Sequence, residues 1–134
     1  MFRRWREKKQ KKLNACLGAA IFSGNVLEVE SPLQKGADPN AFTAPPYAPK
    51  PEGYRRPLAL AVEFSNAAII DALLEAGADP LQPLRFAGKD IRLSDAARWG
   101  KRPDAVIELI EKAEQEAQAQ RQRPNNSFSS KPPS

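Results

Sequence analysis

An internal repeat constrains the fold more than any other feature of the sequence, because self-similarity at a fixed period dictates a repeat architecture. Residues 17–41 align without gaps beneath residues 58–82, and the tetrapeptide Gly-Ala-Asp-Pro recurs at 36–39 and 77–80, an offset of 41 residues. A degenerate third copy at residues 93–113 lacks the Gly-Ala-Asp ending. The sequence therefore predicts about three stacked units, each burying its apolar face against a neighbour.

Each copy contains two segments with the patterns of short helices. The first segments are rich in small residues, such as Ala59 and Ala61, which let neighbouring helices approach closely. The second segments carry Val, Ile and Leu at the i, i+3, i+4 spacing of a buried helical stripe. Gly36 and Gly77 follow those stripes, where a helix commonly ends in the left-handed conformation. The predicted order in each copy is helix, turn, helix and extended loop.

These residues resemble the ankyrin repeat family, whose unit of about 33 residues opens on Thr-Pro-Leu-His-x-Ala. Residues 56–61, RPLALA, are similar to that opening, and Gly24-Asn25 resembles the family's helix junction. Residues 36–41, GADPNA, match the family's Gly-Ala-Asp-x-Asn close. The resemblance covers roughly residues 13–113. It implies an all-α fold, a short helix-turn-helix solenoid with extended finger loops between repeats.

The sequence also departs from the family pattern. Arg56 and Ala59 replace the Thr and His that hydrogen-bond between repeats in relatives, so we expect part of that polar network to be missing. Pro32 falls inside the second helix of the first copy. A proline in a regular helix interior costs about 3 kcal/mol, so we expect a kink and a distorted first repeat.

The predicted domain organisation has three parts. Residues 1–12 form a basic N-terminal arm or capping helix, residues 13–122 form the repeat domain, and residues 123–134 form a disordered tail of low complexity. Within the repeat domain we place the three copies at about 13–41, 57–82 and 92–122.

Terminal repeats need caps, because each would otherwise expose an apolar face. We assign the N-terminal cap to the segment around Phe2, Trp5 and Leu13. The C-terminal cap is predicted to be a long final helix at 103–122, whose polar second half can face water.

The loop between the first two copies is enlarged, because the offset of 41 residues exceeds the usual repeat length. The excess lies in a proline-rich finger insertion at 41–57. Its aromatic and arginine side chains are of the types that dominate binding interfaces: Tyr47, Tyr54, Arg55 and Arg56. The alternative is a surface insertion without a role, since loops accept insertions at little cost.

In ankyrin relatives, partners contact the finger loops and the exposed side of the first helices, which together form the concave face. The resemblance carries this role over to the residues just before each helix junction: Phe22, Glu63, Phe64, Arg98 and Trp99. Phe64 and Trp99 align with each other and, if exposed, would form an apolar strip. The alternative is that these rings fill space between helices.

The positive charge of the chain is concentrated at its N-terminus. Residues 1–12 carry a net charge of +6, which leaves −1 of the total +5 for residues 13–134. Three interpretations remain open for this arm: a solvated capping helix, an anchor on an anionic membrane that also uses Phe2 and Trp5, or a nucleic-acid-binding arm. Its basic residues are Arg3, Arg4, Arg6, Lys8, Lys9, Lys11 and Lys12.

Histidine is absent, which removes the commonest catalytic bases and metal ligands, and we expect no enzymatic activity, metal or small-molecule cofactor. The single cysteine, Cys16, excludes an intramolecular disulfide, and its Ala-rich surroundings favour a buried position. Asp38 and Asp79 occupy equivalent turns, where an aspartate normally accepts hydrogen bonds from its own local backbone.

A cytoplasmic location fits the single cysteine. No apolar run approaches the length of about 20 residues that spans a bilayer. The basic start followed by residues 13–22 imitates a signal peptide, but Asn14 interrupts the apolar run and the run merges into the helical pattern, so we expect no export.

The sequence thus favours a non-enzymatic adaptor that binds a protein partner through its concave face and finger loops. The alternative is a peripheral tether whose basic arm binds an anionic membrane or nucleic acid.

Overall fold

A computed structural model of the chain describes residues 2–42, 55–86 and 88–122. These residues form six helices: α1 Phe2–Ser23, α2 Val26–Gln34, α3 Pro57–Phe64, α4 Ala67–Glu75, α5 Leu93–Trp99 and α6 Asp104–Gln122. Two short antiparallel strands, β1 Leu84–Phe86 and β2 Lys89–Ile91, form a hairpin between α4 and α5. The predominantly helical class predicted from the sequence is confirmed, with this small sheet added.

The helices are arranged as three pairs. Within the pairs, α1 packs on α2, α3 on α4 and α5 on α6. The first helices of the pairs contact each other in the order α1, α3, α5, and the second helices in the order α2, α4, α6. The described part of the chain therefore has two adjoining rows of helices.

The core lies between these two rows. Small residues of the first helices are buried, among them Ala59, Ala61 and Ala97, and they let the helices of that row lie close together. The apolar stripes predicted for the second helices are confirmed, since each supplies side chains with 0 to 2 % exposure: Val29, Ile69, Ile70, Leu73, Val106 and Ile110.

The first two helix pairs share the same local signals. Asn25 caps α2 by accepting a hydrogen bond from the backbone N–H of Leu27 at 2.9 Å, and Asn66 caps α4 by accepting one from that of Ile69 at 3.0 Å. Gly36 and Gly77 each lie two residues past the end of their helix, with φ of +106° and +103°. Glycine enters this left-handed region without steric cost, so the predicted helix ends are confirmed.

Pro32 does not interrupt the second helix of the first pair. Helix α2 runs through Pro32 to Gln34 and has nine residues, as α4 has. Pro32 is buried at the position that corresponds to Leu73. The predicted distortion therefore does not shorten the first unit, although the ring still removes one backbone donor from the helix.

Hydrogen bonds between the units run through side chains that the sequence analysis did not single out. The amide of Asn40 donates to the carbonyl of Gly77 at 3.0 Å and accepts from the backbone N–H of Asp79 at 2.8 Å. Within the first unit, the side-chain oxygen of Asn14 accepts from the backbone N–H of Asp38 at 2.9 Å. Asn40 therefore joins the loops of two units, and these loop contacts do not involve positions 56 and 59, where the sequence lacks the Thr and His of the family opening.

A second set of contacts joins the helix junctions at the opposite ends of the pairs. Asn66 donates to the carbonyl oxygen of Gly24 at 3.1 Å. Arg102 donates through Nε to the carbonyl oxygen of Val62 at 2.9 Å and through a terminal nitrogen to that of Ser65. The two bonds from Arg102 satisfy carbonyl groups at the end of α3, which have no partner within the helix.

The basic arm and the first repeat helix form one continuous helix, because α1 spans Phe2–Ser23. Leu13 packs against the core as predicted for a cap, but Trp5 is 63 % exposed and covers nothing there. Cys16 is also exposed, so the prediction that it is buried is wrong. The helical period of 3.6 residues turns both positions away from the buried Leu17 and Ile21.

Helix α6 closes the C-terminal end of the two rows, where the sequence placed a capping helix. Its Glu114 is buried and accepts a hydrogen bond from the backbone N–H of Ser94 at 3.1 Å, so it caps the start of α5. The predicted tail at 123–134 and most of the finger insertion, residues 43–54, lie outside the described residues. Among the helices described, none combines the length and the apolar character needed to cross a membrane.

Candidate partner-binding surface

Four aromatic rings lie along one side of the first row of helices. Phe22 of α1 and Phe64 of α3 are stacked, with ring centroids 5.4 Å apart and an angle of 26° between the rings. Phe86 of β1 meets Trp99 of α5 edge to face, with centroids 5.5 Å apart and an angle of 67°. Both geometries are favoured arrangements of aromatic pairs. We call these four residues the aromatic surface.

The aromatic surface is accessible to solvent. Phe64 is 46 % exposed, Phe86 is 45 % exposed and Trp99 is 68 % exposed, whereas Phe22 is partly buried. The sequence left open whether Phe64 and Trp99 are exposed or fill space between helices. The structure places both at the surface, and a cluster of exposed large apolar side chains is typical of an interaction site.

A groove with a volume of about 230 Å³ separates Phe64 from the Phe86–Trp99 pair. Small residues of α5 and the turn after it, Ala96 and Gly100, line it together with Leu84. The groove has the size to receive one or two apolar side chains.

The ends of two equivalent helices and one strand position these rings. Phe64 is the last residue of α3 and Trp99 the last residue of α5, so the two corresponding positions fall beside each other when the helices pack. In β1, Leu84 is buried and anchors the strand. Because side chains alternate along a strand, Phe86 lies on the same face as Leu84, toward Trp99.

Phe86 was not predicted from the sequence, because it lies on the hairpin between α4 and α5 and not among the residues before a helix junction. A local signal was present: two three-residue segments, 84–86 and 89–91, flank a two-residue turn that contains Gly88. Such spacing is typical of a hairpin. Gly88 has a φ of +79°, as turns of this kind require.

An ion pair closes one rim of the groove. Arg55 Nε lies 2.8 Å from Glu63 Oε1, and the Arg55 side chain is only 10 % exposed. The sequence predicted that both residues contact a partner. Burial removes Arg55 from that set, because its guanidinium is held against α3 and neutralises the Glu63 carboxylate there.

Arg98 lies beside Trp99 and remains more than half exposed, as predicted for a contact residue. Its guanidinium forms ion pairs with Glu111 of α6 and with Asp95 one turn earlier in α5, the latter at 3.8 Å. The charges of Glu63 and Arg98 are therefore balanced by pairs within the chain, whereas Arg102, which also lines the groove, donates to backbone carbonyl oxygens.

The base of the finger insertion is described at both of its ends. The guanidinium of Arg56 lies over the ring of Phe42 at 4.2 Å from its centroid, a cation–π contact, and Phe42 is 54 % exposed. Phe42 was not predicted from the sequence. The predicted contact residues Tyr47 and Tyr54 lie outside the described residues.

Each of the two equivalent aspartates accepts a hydrogen bond from the backbone of its own loop, as predicted. Asp38 accepts from the backbone N–H of Asn40 at 2.8 Å, and Asp79 accepts from that of Leu81 at 2.9 Å. Burial tends to raise the pKa of Asp79, but the hydrogen bond from Leu81 and the hydrogen bond and charge of Arg121 outweigh it, so this pKa lies below its ordinary value. Within the described ranges, no group of three or more His, Cys, Asp or Glu could hold a metal ion.

The basic side chains from Arg4 to Lys12 are exposed along the first half of α1, and the side chain of Arg3 lies outside the described residues.

Neither a scan against models of known protein families nor a comparison with curated proteins gave a match for the chain. The functional argument therefore depends on the motifs of the chain and on the geometry of its surfaces.

Proposed function

We propose that the protein is a non-enzymatic adaptor of the ankyrin type, which binds a protein partner through the aromatic surface and the adjoining finger base. The observation that carries this proposal is the groove between Phe64 and the Phe86–Trp99 pair, in which three large rings are each at least 45 % exposed. Such a groove can bury apolar side chains of a partner.

The arrangement of helices supports the ankyrin-type solenoid within this proposal. Three consecutive helix pairs pack in register. In the first two pairs the second helix begins at an Asn cap and is followed by a left-handed glycine, and these features recur at an interval of 41 residues. The Asn40 and Asn14 side chains bind the equivalent turns of successive units. Repetition of contacts between neighbours is the property by which solenoid proteins build extended binding surfaces.

The proposed mode of binding places an apolar side chain of the partner in the groove, against Phe64 and Trp99. Ring contacts with Phe22 and Phe86 hold these two rings before the partner arrives, which lowers the entropy lost on binding. Arg98 and Glu63 lie at the edges, where their ion pairs limit the charge presented to the partner. The partner surface is accordingly expected to be apolar at its centre.

Site-specific crosslinking identifies the partner and tests the surface together. A photoreactive phenylalanine analogue at position 99 is compared with the same analogue at position 27, because Leu27 is 71 % exposed on α2, in the other row of helices. A protein captured in the native cell at position 99 and not at position 27 meets the expectation.

The captured partner is then titrated against purified variants. Phe64→Ala combined with Trp99→Ala should weaken binding by 100-fold or more, since truncating a single interface hot spot costs about 2 kcal/mol or more and 1.4 kcal/mol is a factor of ten. The matched control, Leu27→Ala combined with Trp5→Ala, removes two exposed apolar side chains elsewhere. Unchanged affinity of a folded Phe64/Trp99 variant would refute the proposed surface.

A further inference from the structure

Five of the seven basic residues of α1 share one exposed face, which the proposed adaptor function does not use. With 3.6 residues per turn, Arg4, Lys8, Lys9, Lys11 and Lys12 fall within an arc of about 160° around the helix axis. This arc lies opposite the side on which Leu17 and Ile21 enter the core, and all five side chains are exposed. The cationic face therefore points away from the rest of the fold.

The same face continues toward the end of α1 without any opposing charge. Ala15, Cys16 and Ala19 are exposed along it, and the face carries no carboxylate between Arg4 and Ser23, a stretch that the structure describes throughout. Glu7, the one acidic residue in α1, falls outside the arc. Apart from the rings of Trp5 and Phe22, an approaching anionic surface thus meets cations or small uncharged side chains along this face.

Trp5 lies within the cationic arc. Its ring is 63 % exposed, three lysines of the arc surround it in an open concavity, and the Lys9 ammonium nitrogen is 5.5 Å from the ring centroid. A tryptophan beside lysines is the combination found where proteins rest on membranes, since the ring inserts at the headgroup level while the cations meet phosphate.

We propose that this face of α1 docks the protein on an anionic phospholipid bilayer, with Trp5 inserted between headgroups and the lysines of the arc against lipid phosphates. A bilayer is flat and is met by one side of a helix, and five of the seven basic residues of α1 lie on the side that carries Trp5, while Arg3 and Arg6 fall outside the arc. A nucleic-acid arm needs charge alone, whereas an exposed indole ring among lysines suits the headgroup region of a bilayer. The position of Trp5 therefore favours the bilayer.

Co-sedimentation of the full chain with lipid vesicles tests this docking. The protein should bind vesicles that contain phosphatidylserine and not vesicles of phosphatidylcholine alone, and binding should weaken as salt is added. Replacing Lys8, Lys11 and Lys12 by Gln should reduce the partition coefficient on the order of 100-fold, because each cation near the surface contributes a factor of about five.

A charge-matched variant separates this face from net charge. Lys35, Lys89 and Lys112 are exposed and lie outside α1, so replacing these three by Gln lowers the net charge by the same amount. This control should retain most of the binding. Equal losses in the two triple variants would show that only net charge matters and would overturn the proposal.

Tryptophan fluorescence reports whether Trp5 enters the bilayer. Replacing Trp99 by Phe leaves Trp5 as the sole tryptophan of the chain, and its emission should shift to shorter wavelength when phosphatidylserine vesicles are added. An unshifted spectrum, or tighter binding of the wild-type protein to duplex DNA or RNA than to the vesicles at the same salt, contradicts the proposal. These measurements require no protein partner, so their outcome does not depend on whether the proposed adaptor function is correct.

Discussion

The side chain of Asn40 uses its donor and its acceptor to join two loops of successive units. Asn40→Ala leaves the carbonyl of Gly77 and the backbone N–H of Asp79 without these partners. We expect the free energy of unfolding to fall by about 1–3 kcal/mol, because two hydrogen bonds are lost and each contributes about 0.5–1.5 kcal/mol net. Urea unfolding followed by circular dichroism measures the change.

The control for Asn40→Ala is Gln34→Ala, which removes an exposed amide side chain from α2. Substitutions at such surface positions usually change stability by less than about 0.5 kcal/mol. If Asn40→Ala were as mild as this control, the loop contacts would not hold the units together.

The lowered pKa of Asp79 predicts a specific dependence of stability on pH. A carboxylate whose pKa is lower in the folded protein stabilises the fold above its ordinary value of about 4, and this contribution is lost as the pH falls through the lower, folded value. Asp79→Asn should therefore be less stable than the wild type at pH 7, and the difference should shrink below about pH 4.

Unfolding midpoints in urea at pH 7 and pH 3 test this dependence. Asp71→Asn removes an exposed carboxylate from the neighbouring helix α4 and serves as the charge-matched control. A difference between Asp79→Asn and the wild type that is the same at both pH values would show that the Arg121 and Leu81 contacts do not stabilise the ionised form.

At the scale of single residues, the sequence predicted what the residue type itself encodes. The conformations of Gly36 and Gly77 and the loop hydrogen bonds of Asp38 and Asp79 are local, so motif and turn chemistry sufficed. The positions of Arg55 and Cys16 were wrong because burial depends on neighbours distant in sequence. The Arg55 ion pair, for example, requires the first helix of the second unit to pass beside the finger base.

At the scale of elements, Pro32 tests the cost of an imperfect helix. Helix α2 tolerates this proline in its last turns, where the backbone donor to the carbonyl of Glu28 is missing. Pro32→Ala restores that donor and should raise the free energy of unfolding by about 1–2 kcal/mol, somewhat less than the full penalty of about 3 kcal/mol because buried contacts of the ring are lost.

Ser31→Ala, at the exposed neighbouring position of α2, controls for the better helix propensity of alanine. Denaturant unfolding compares the two variants with the wild type. A loss of stability in Pro32→Ala would mean that packing of the ring outweighs the missing hydrogen bond.

The existence and order of the helices could be predicted, since the apolar stripes and glycine ends recur at a fixed interval. The union of the basic arm with the first helix in α1 could not, because the charged segment lacks an apolar stripe of its own. The hairpin that supplies Phe86 was also missed, since strands of three residues carry little periodic signal.

The whole molecule offers two surfaces to two proposed partners. The aromatic surface lies at the ends of α1, α3 and α5 and on the hairpin, whereas the cationic arc occupies the first half of α1. Changes at separate sites that share no contacts usually act additively. The Phe64/Trp99 double variant should therefore bind anionic vesicles like the wild type, and the Lys8/Lys11/Lys12 variant should bind the protein partner like the wild type.

Parallel vesicle and partner titrations of both variants test this independence. If the lysine variant lost the protein partner while the Phe64/Trp99 variant lost the vesicles, the two surfaces would form one site and the division proposed for the molecule would be wrong.

Amide hydrogen exchange reports whether a protein partner occupies the groove beside Phe64 and Trp99. Exchange is compared for the full chain alone and for the chain saturated with the partner identified by crosslinking. We expect slower exchange in β1, β2 and the last turns of α3 and α5, where the partner excludes water. Protection confined to α2, α4 and α6, with unchanged exchange in the hairpin, would contradict it.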